Sequence, residues 1–180
     1  MKKKVLAISG STRKDSSNER ILKAIGRSYQ DIIDVHIFTH LDQLPHFNPD
    51  LSGDTTPPAV AAFIDLIKNA DGVLICTPEY VFSLPGSLKN ALEWTVSTTV
   101  FTDKPCAFIV ASGLGEKAFE SLDIIMRTLI QSPVPEKSRL LIQGARGKIN
   151  ATGEFSDENI LHQIKILVDS LSHSMNVSSE

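Results

Sequence analysis

The feature that most constrains this chain is a set of short segments that are apolar at nearly every position. Residues 5–8, 72–77 and 106–111 run Val-Leu-Ala-Ile, Gly-Val-Leu-Ile-Cys-Thr and Cys-Ala-Phe-Ile-Val-Ala. A strand with one face in water would alternate apolar and polar residues, so these segments indicate strands that are buried on both faces. The pattern predicts a parallel sheet between two layers of helices.

Segments with apolar residues at helical spacing separate these strands. The pattern predicts strands at 5–8, 34–38, 72–77, 106–111 and 140–142, and helices at 18–29, 60–69, 87–96, 117–131 and 157–172. Five strands joined by helical crossovers predict a three-layer, doubly wound α/β fold with a five-stranded parallel sheet. The flavodoxin-like strand order 2-1-3-4-5 is one of the two common orders for such sheets. We expect Ser156 or Asp157 to cap the last helix.

The length of 180 residues fits one domain, spanning 1–180. We expect the polar segment 172–180 to be a frayed tail. Residues 41–58 lack periodicity and contain four prolines, at positions 45, 49, 57 and 58. A loop of that length in a compact domain is usually functional or disordered.

Charge and composition disfavour several classes of protein. The net charge is -3, and the charged residues are scattered, which predicts no nucleic-acid partner. No apolar run approaches the roughly 18 residues of a membrane span, and no signal-peptide core follows the basic start, so we expect a cytoplasmic protein with no membrane partner. Cys76 and Cys106 should lie at opposite ends of neighbouring strands, too far apart for a disulfide. The five histidines show no metal-ligand spacing, so no metal site is expected.

Open parallel sheets bind ligands at the carboxyl ends of their strands, where the strand order reverses. Three loops should converge there: residues 9–18, 77–86 and 112–116. The first contains a glycine, hydroxyl groups and Arg13 just before a helix, and this chemistry suits a phosphate. It matches neither the Walker motif nor GxGxxG. The alternative is that its Ser, Thr and Asn residues only form turns and cap the helix.

The loop at 77–86 is the most distinctive segment of the chain. Pro78 and Pro85 restrict its backbone, and Tyr80 or Phe82 could form an aromatic wall beside a planar heterocycle. The alternative is that these aromatic rings belong to the core or to an interface, and that Glu79 is a solvated charge.

Two motifs resemble the NADPH-dependent FMN reductase family of the flavodoxin superfamily. They are Gly10-Ser11-x-Arg13-x-x-Ser16-x-Asn18 and Thr77-Pro78-Glu79-Tyr80…Ser83-x-Pro85-Gly86-x-Leu88-Lys89-Asn90-Ala91…Trp94. The second motif is highly specific, and residues 44–51 are similar to the family as well. The resemblance runs from residue 4 to about residue 111 and continues more weakly beyond.

The resemblance implies FMN as cofactor and NADPH or NADH as electron donor, with the chemistry carried by FMN and by no catalytic side chain. The implied cofactor-binding residues are Ser11, Arg13, Ser16 and Asn18 at the phosphate, Pro78, Glu79 and Tyr80 along the isoalloxazine ring, Ser83 as support for that loop, and Ser112, Gly113 and Gly115 over the other edge. Family members reduce small acceptors: free flavins, quinones, azo compounds or metal oxyanions. They commonly form homodimers or homotetramers.

Two positions depart from the family pattern. Val81 stands where asparagine is usual, which would remove a polar contact near the ring. Glu116 stands where glycine is frequent, which would place a carboxylate close to a flavin edge or an acceptor. Taken with these departures, the resemblance implies an FMN-dependent NAD(P)H oxidoreductase, for which we expect ping-pong hydride transfer through the bound FMN. A flavodoxin-type electron carrier and a flavin-free interaction or regulatory module on the same fold remain as alternatives.

Overall fold

The computed structural model describes residues 2–177 and contains a parallel sheet flanked by helices. The strands are β1 (Lys3–Ser9), β2 (Ile33–Phe38), β3 (Gly72–Thr77), β4 (Cys106–Ser112) and β5 (Arg139–Gln143). The main helices are α1 (Ser17–Ser28), α2 (Pro58–Asn69), α3 (Gly86–Glu93), α4 (Glu116–Ile130) and α5 (Glu158–Val177). Each predicted element is present, and most ends agree with the prediction within two residues.

The five strands lie in the order β2-β1-β3-β4-β5, and every neighbouring pair is parallel. This confirms the predicted doubly wound, flavodoxin-like sheet. All six residues of β3 are buried, as the unbroken apolar run predicts. The chain leaves β1 toward one edge of the sheet and returns through β3 toward the other, so the strand order reverses between them.

Alternate side chains of each strand belong to two separate cores, because successive residues of a strand point to opposite faces. On one face Val73 and Ile75 of β3 pack with Phe63 of α2. On the other face Leu74 and Cys76 pack with α1 and α5. Both layers of helices are therefore anchored to the same strands.

The proline-rich loop at 41–58 is built from three short 3-10 turns at Leu41–Gln43, Pro49–Leu51 and Gly53–Thr55. Helix α3 and the turn after it hold this loop in place. The Asn90 side chain accepts a hydrogen bond from the Phe47 N–H at 2.7 Å, and the buried Trp94 donates its indole N–H to the Pro45 carbonyl at 2.8 Å. Asn90 and Trp94, near the end of the second motif, therefore have a structural role: they stabilise the loop at 41–58.

Cys76 and Cys106 are free and buried. In the register between β3 and β4, Cys106 pairs with Val73 and Cys76 pairs with Ile109. The two thiols lie toward opposite ends of the strand pair, which confirms the prediction of no disulfide. Among residues 2–177, no helix combines the length and apolar character that crossing a bilayer requires.

The last helix corrects the expected frayed tail. Helix α5 continues to Val177, and its Met175 side chain is only 1% exposed. Met175 packs so closely over Gly72 that a Cβ built there would lie 2.7 Å from the Met175 sulfur. Residues 178–180 of the expected tail lie outside the described residues. At the other end of the helix Asp157 accepts a hydrogen bond from the Asn159 N–H at 2.9 Å, as a capping residue would.

Because Met175 is a core residue, its replacement by alanine should destabilise the fold. We expect Met175→Ala to lower the free energy of unfolding by about 2 to 3 kcal/mol through lost burial and a cavity. Val177→Ala is the matched control, since Val177 is 60% exposed on the same helix, and should change stability by less than about 0.5 kcal/mol. Urea unfolding followed by circular dichroism measures both. Equal, small effects would show that the end of α5 is not packed.

Candidate functional site

A cleft of about 400 Å³ lies at the carboxyl edge of the sheet. Four segments line it: residues 11, 13 and 16–18 between β1 and the start of α1, residues 78–80 after β3, residues 111–113 at the end of β4, and residues 144–146 after β5. The volume lies within the range of small-molecule sites, roughly 300 to 1,000 Å³. The cleft is thus where the reversal of strand order predicts a ligand site.

The structure brings most of the predicted cofactor-binding residues together in this cleft. The predicted residues that line it are Ser11, Arg13, Ser16, Asn18, Pro78, Glu79, Tyr80, Ser112 and Gly113. Ser83 and Gly115 do not line the cleft. Ser83 closes the turn after Tyr80, and Gly115 is the N-cap residue of α4.

The loop after β1 approaches β3 closely before entering α1. The Gly10 N–H donates to the Cys76 carbonyl at 2.8 Å, and a Cβ on Gly10 would lie 2.3 Å from the Thr77 hydroxyl oxygen. Only glycine permits this approach. The Ser16 hydroxyl then accepts from the Glu19 N–H at 3.1 Å and caps α1. The first N–H groups of α1 have no intrahelical acceptor, so they favour an anion at this end of the cleft.

Two cations line the cleft without an acidic partner. Arg13 and Arg146 are exposed and form no ion pair within residues 2–177. The acid nearest in sequence, Asp15, is held by Arg20 at 3.1 Å, and this hydrogen bond lowers the pKa of Asp15. Arg20, and not Arg13, is thus the hydrogen-bonded partner of Asp15, and the Arg13 guanidinium remains available for an anionic group.

The loop after β3 ends in a tight hairpin turn. Tyr80 and Ser83 exchange backbone hydrogen bonds of 2.9 and 3.0 Å, so Ser83 supports the loop through its main chain. Val81 and Phe82, between them, have φ angles of 51° and 56°, as in a type I′ turn. The Tyr80 ring is half-exposed beside the cleft, where it can contact a planar ligand.

The carboxylate of Glu79 is bound to the start of another helix. Its Oε2 atom accepts a hydrogen bond from the Ala118 N–H, in the first turn of α4, at 2.9 Å. The N-cap residue of that helix is Gly115, which has φ 101° and no side chain to cap with. A Cβ on Gly115 would also lie 2.8 Å from a methyl group of Leu141. Glu79 supplies the missing cap and fixes the loop after β3 against α4.

The two departures from the family pattern lie away from the cleft lining. Val81 is 94% exposed and does not line the cleft. The Glu116 carboxylate accepts a hydrogen bond from the Gln143 side chain at 3.0 Å and does not line the cleft either. The Glu116 carboxylate therefore has a protein partner in Gln143, and its closeness to a flavin edge stays a prediction.

Residues 144–146 were missed by the sequence analysis, as were the cleft-lining Ser17 and Ala111. The Gly144 N–H donates to the Gly113 carbonyl at 3.1 Å, which joins the loops after β5 and β4. Arg146 follows in a 3-10 turn, Ala145–Gly147. The signal that could have found this loop is its place after β5, since all parallel strands end at the same edge of the sheet.

Comparison of the sequence with known protein families identifies one family that fits this cleft. Residues 3–145 match the family model of NADPH-dependent FMN reductases. The chain belongs to the NADPH-dependent FMN reductase family. This membership confirms the predicted oxidoreductase class, FMN as the family's cofactor and a nicotinamide nucleotide as its electron donor.

Individual relatives support the assignment over most of the chain. The chain is 32% identical to the NADH:(hydroxy)cinnamate reductase subunit CrdA of Vibrio ruber, over 88% of this chain and 80% of that protein. It is 31% identical to an NAD(P)H-dependent FMN reductase of Pseudomonas aeruginosa, over 86% of this chain and 85% of that protein. Among solved structures it is similar to FerB, a flavoenzyme NAD(P)H:(acceptor) oxidoreductase from Paracoccus denitrificans, with a TM-score of 0.79, 28% identity and 97% of each chain covered.

The left-handed backbone at Val81 leads to a prediction about stability. A β-branched residue with φ near 51° is strained, whereas asparagine tolerates this region. Because Val81 buries almost nothing, Val81→Asn should raise the free energy of unfolding by about 1 kcal/mol. Urea unfolding of the flavin-free protein measures the change.

Val177→Asn is the control for this substitution. Val177 is also an exposed valine, at 60%, and does not have a positive φ angle. Its replacement should leave stability unchanged within about 0.5 kcal/mol. If both variants shift stability equally, backbone strain at Val81 is not the cause.

Proposed function

We propose that this protein is an FMN-dependent NAD(P)H oxidoreductase that reduces a small acceptor: a free flavin, a quinone, an azo compound or a metal oxyanion. The observation that carries the proposal is the cleft itself. It combines the N-terminus of α1 and the Arg13 guanidinium at one end with a rigid loop and the half-exposed Tyr80 at the other. A phosphate joined to a planar aromatic ring matches both ends.

The phosphate end is the loop between β1 and α1. Charge-assisted hydrogen bonds from Arg13 would each contribute roughly 1.5 to 3 kcal/mol, and the dipole of α1 favours the same negative charge. The Ser11 and Ser16 hydroxyls accept backbone N–H groups at 3.3 and 3.1 Å, which leaves their own hydrogens free to be donated to the phosphate. Asn18 supplies a side-chain amide in the first turn of α1.

The ring end lies between the loops after β3 and β4. Pro78 restricts the backbone, Glu79 is tied to α4 through Ala118, and the hairpin at Tyr80 and Ser83 closes the loop. This loop can therefore present its main-chain groups along one edge of the isoalloxazine ring without rearranging. Ser112 and Gly113 line the opposite side of the cleft.

When bound, FMN supplies the hydride chemistry of the reaction. The residues of this chain bind and orient the cofactor, and no side chain is required as a nucleophile. Tyr80 borders the cleft and is half-exposed. We propose that the nicotinamide donor and the acceptor enter in turn on the side of Tyr80, which corresponds to a ping-pong cycle.

We also propose that the protein forms a homodimer or homotetramer, as the family resemblance implies. An apolar groove of about 320 Å³ between α3 and α4 supports self-association. Val96 and Ile124, on its walls, are 62% and 66% exposed. Apolar side chains grouped in this way are typical of protein interfaces.

The proposed activity is tested by spectroscopy and steady-state kinetics. The purified protein, loaded with FMN, should show flavin absorption that is bleached anaerobically by NADPH or NADH. Reciprocal plots against donor and acceptor should give parallel lines, with a quinone and free FMN as acceptors. A bound flavin that neither donor bleaches would indicate an electron carrier, failure to bind FMN would indicate the flavin-free module, and intersecting lines would exclude the ping-pong cycle.

Arg13 provides a test of the phosphate site. We expect Arg13→Ala to weaken FMN binding by about 2 kcal/mol, or about thirtyfold, because one charge-assisted contact to the phosphate is lost. Riboflavin, which lacks the phosphate, should bind both proteins equally. Lys14→Ala is the matched control, since Lys14 is the adjacent exposed cation and does not line the cleft. An unchanged FMN dissociation constant in Arg13→Ala would remove Arg13 from the site.

A further inference from the structure

A buried thiol lies directly behind one residue of the proposed phosphate site. The Cys76 Sγ atom, at the carboxyl end of β3, is 3.3 Å from the Oδ1 atom of Asn18, in the first turn of α1. Cys76 is fully buried, and Asn18 is 4% exposed. The contact joins β3 to α1 through two residues that are 58 positions apart in the sequence.

The oxygen and the NH₂ group of the Asn18 side-chain amide interact with an anion in opposite ways. The oxygen is only an acceptor and would repel a phosphate, whereas the NH₂ group is a double donor. An S–H group is a donor, so its contact with Oδ1 keeps the oxygen on the buried side. Within the part of the chain that the structure describes, the Asn18 Nδ2 group donates to no protein acceptor, and Asn18 lines the cleft.

The Cys76 thiol remains a donor at ordinary pH. Burial raises the pKa of Cys76 far above the ordinary value for a thiol, because it removes the solvent that would stabilise a thiolate. A thiolate could only accept, and it would attract the NH₂ group of Asn18 inward. The protonated thiol instead donates to Oδ1, so the NH₂ group of Asn18 is not drawn inward.

We propose that Cys76 is a positioning residue that orients the Asn18 side chain so that its NH₂ group faces the FMN phosphate. This inference rests on the proposed function, which places the phosphate at the start of α1. The role of Cys76 is indirect: it contacts Asn18 and not the ligand. Without the thiol, Oδ1 would lose its buried partner, and the amide could turn over.

The chain offers a matched comparison in its other cysteine. Cys106 is also a free, buried thiol in a central strand of the same sheet. It pairs with Val73 at the start of β3, at the end of the sheet opposite to the cleft. Removal of the Cys106 thiol therefore measures what the loss of a buried sulfur does to the fold alone.

The test compares FMN with riboflavin in four variants of the flavin-depleted full-length protein. Dissociation constants are measured by quenching of flavin fluorescence. We expect Cys76→Ala to weaken FMN binding about fivefold and to leave riboflavin binding within about twofold, because only the phosphate contact is disturbed. Cys76→Ser, which restores a donor, should return FMN affinity to within about twofold of the unmodified protein. Cys106→Ala should change the affinity for neither FMN nor riboflavin.

Cys76→Val replaces the alanine variant if that variant does not fold. Valine lacks the donor and suits a buried strand, so we expect the same loss of FMN affinity and the same unchanged riboflavin affinity as for Cys76→Ala.

Each other outcome overturns the proposal. Equal losses for FMN and riboflavin in Cys76→Ala would show that the thiol only packs the sheet, and no loss for either would show that it does not position Asn18. A serine variant that behaves like the alanine variant would exclude the hydrogen bond as the cause. If the unmodified protein binds riboflavin as tightly as FMN, the phosphate site of the proposed function fails first, and the role of Cys76 fails with it.

Discussion

Burial of the sheet on both faces is the constraint on which the rest of this structure depends. All six residues of β3 are buried, and most of β4 is buried as well. Polar chemistry is therefore confined to the ends of the strands, where the backbone leaves the sheet. The reversal of strand order between β1 and β3 opens the space at one of those ends, and four loops meet around it.

Helix N-termini organise this edge in two different ways. At α1 the cap is local, since Ser16 accepts the Glu19 N–H, and the first residues of the helix, Ser17 and Asn18, line the cleft. At α4 the cap comes from a distant residue, because Gly115 has no side chain and Glu79 takes its place. The first helix thus offers its positive end to a ligand, while the second uses its positive end to hold the loop that borders the ligand.

The segment that identifies the family combines residues with separate tasks. Its first part shapes the cleft through Pro78, Glu79 and Tyr80. In its last part, Asn90 and Trp94 form hydrogen bonds to residues 45 and 47 of the proline-rich loop at 41–58, and neither residue lines the cleft. Backbone conformation also explains why asparagine is usual in the family at position 81. The turn there requires a left-handed backbone, which asparagine adopts more readily than valine.

The sequence by itself determined the five parallel strands, their helices and the loops after β1, β3 and β4, because burial on both faces and helical periodicity are local patterns. It also determined the family, because the motif residues are adjacent along the chain. Only the tertiary structure decided that Glu79 caps α4, that Cys76 contacts Asn18, that the loop after β5 joins the cleft and that the end of α5 packs over Gly72. These contacts join residues far apart in the chain, and their geometry depends on how the helices settle on the sheet, which no local pattern records.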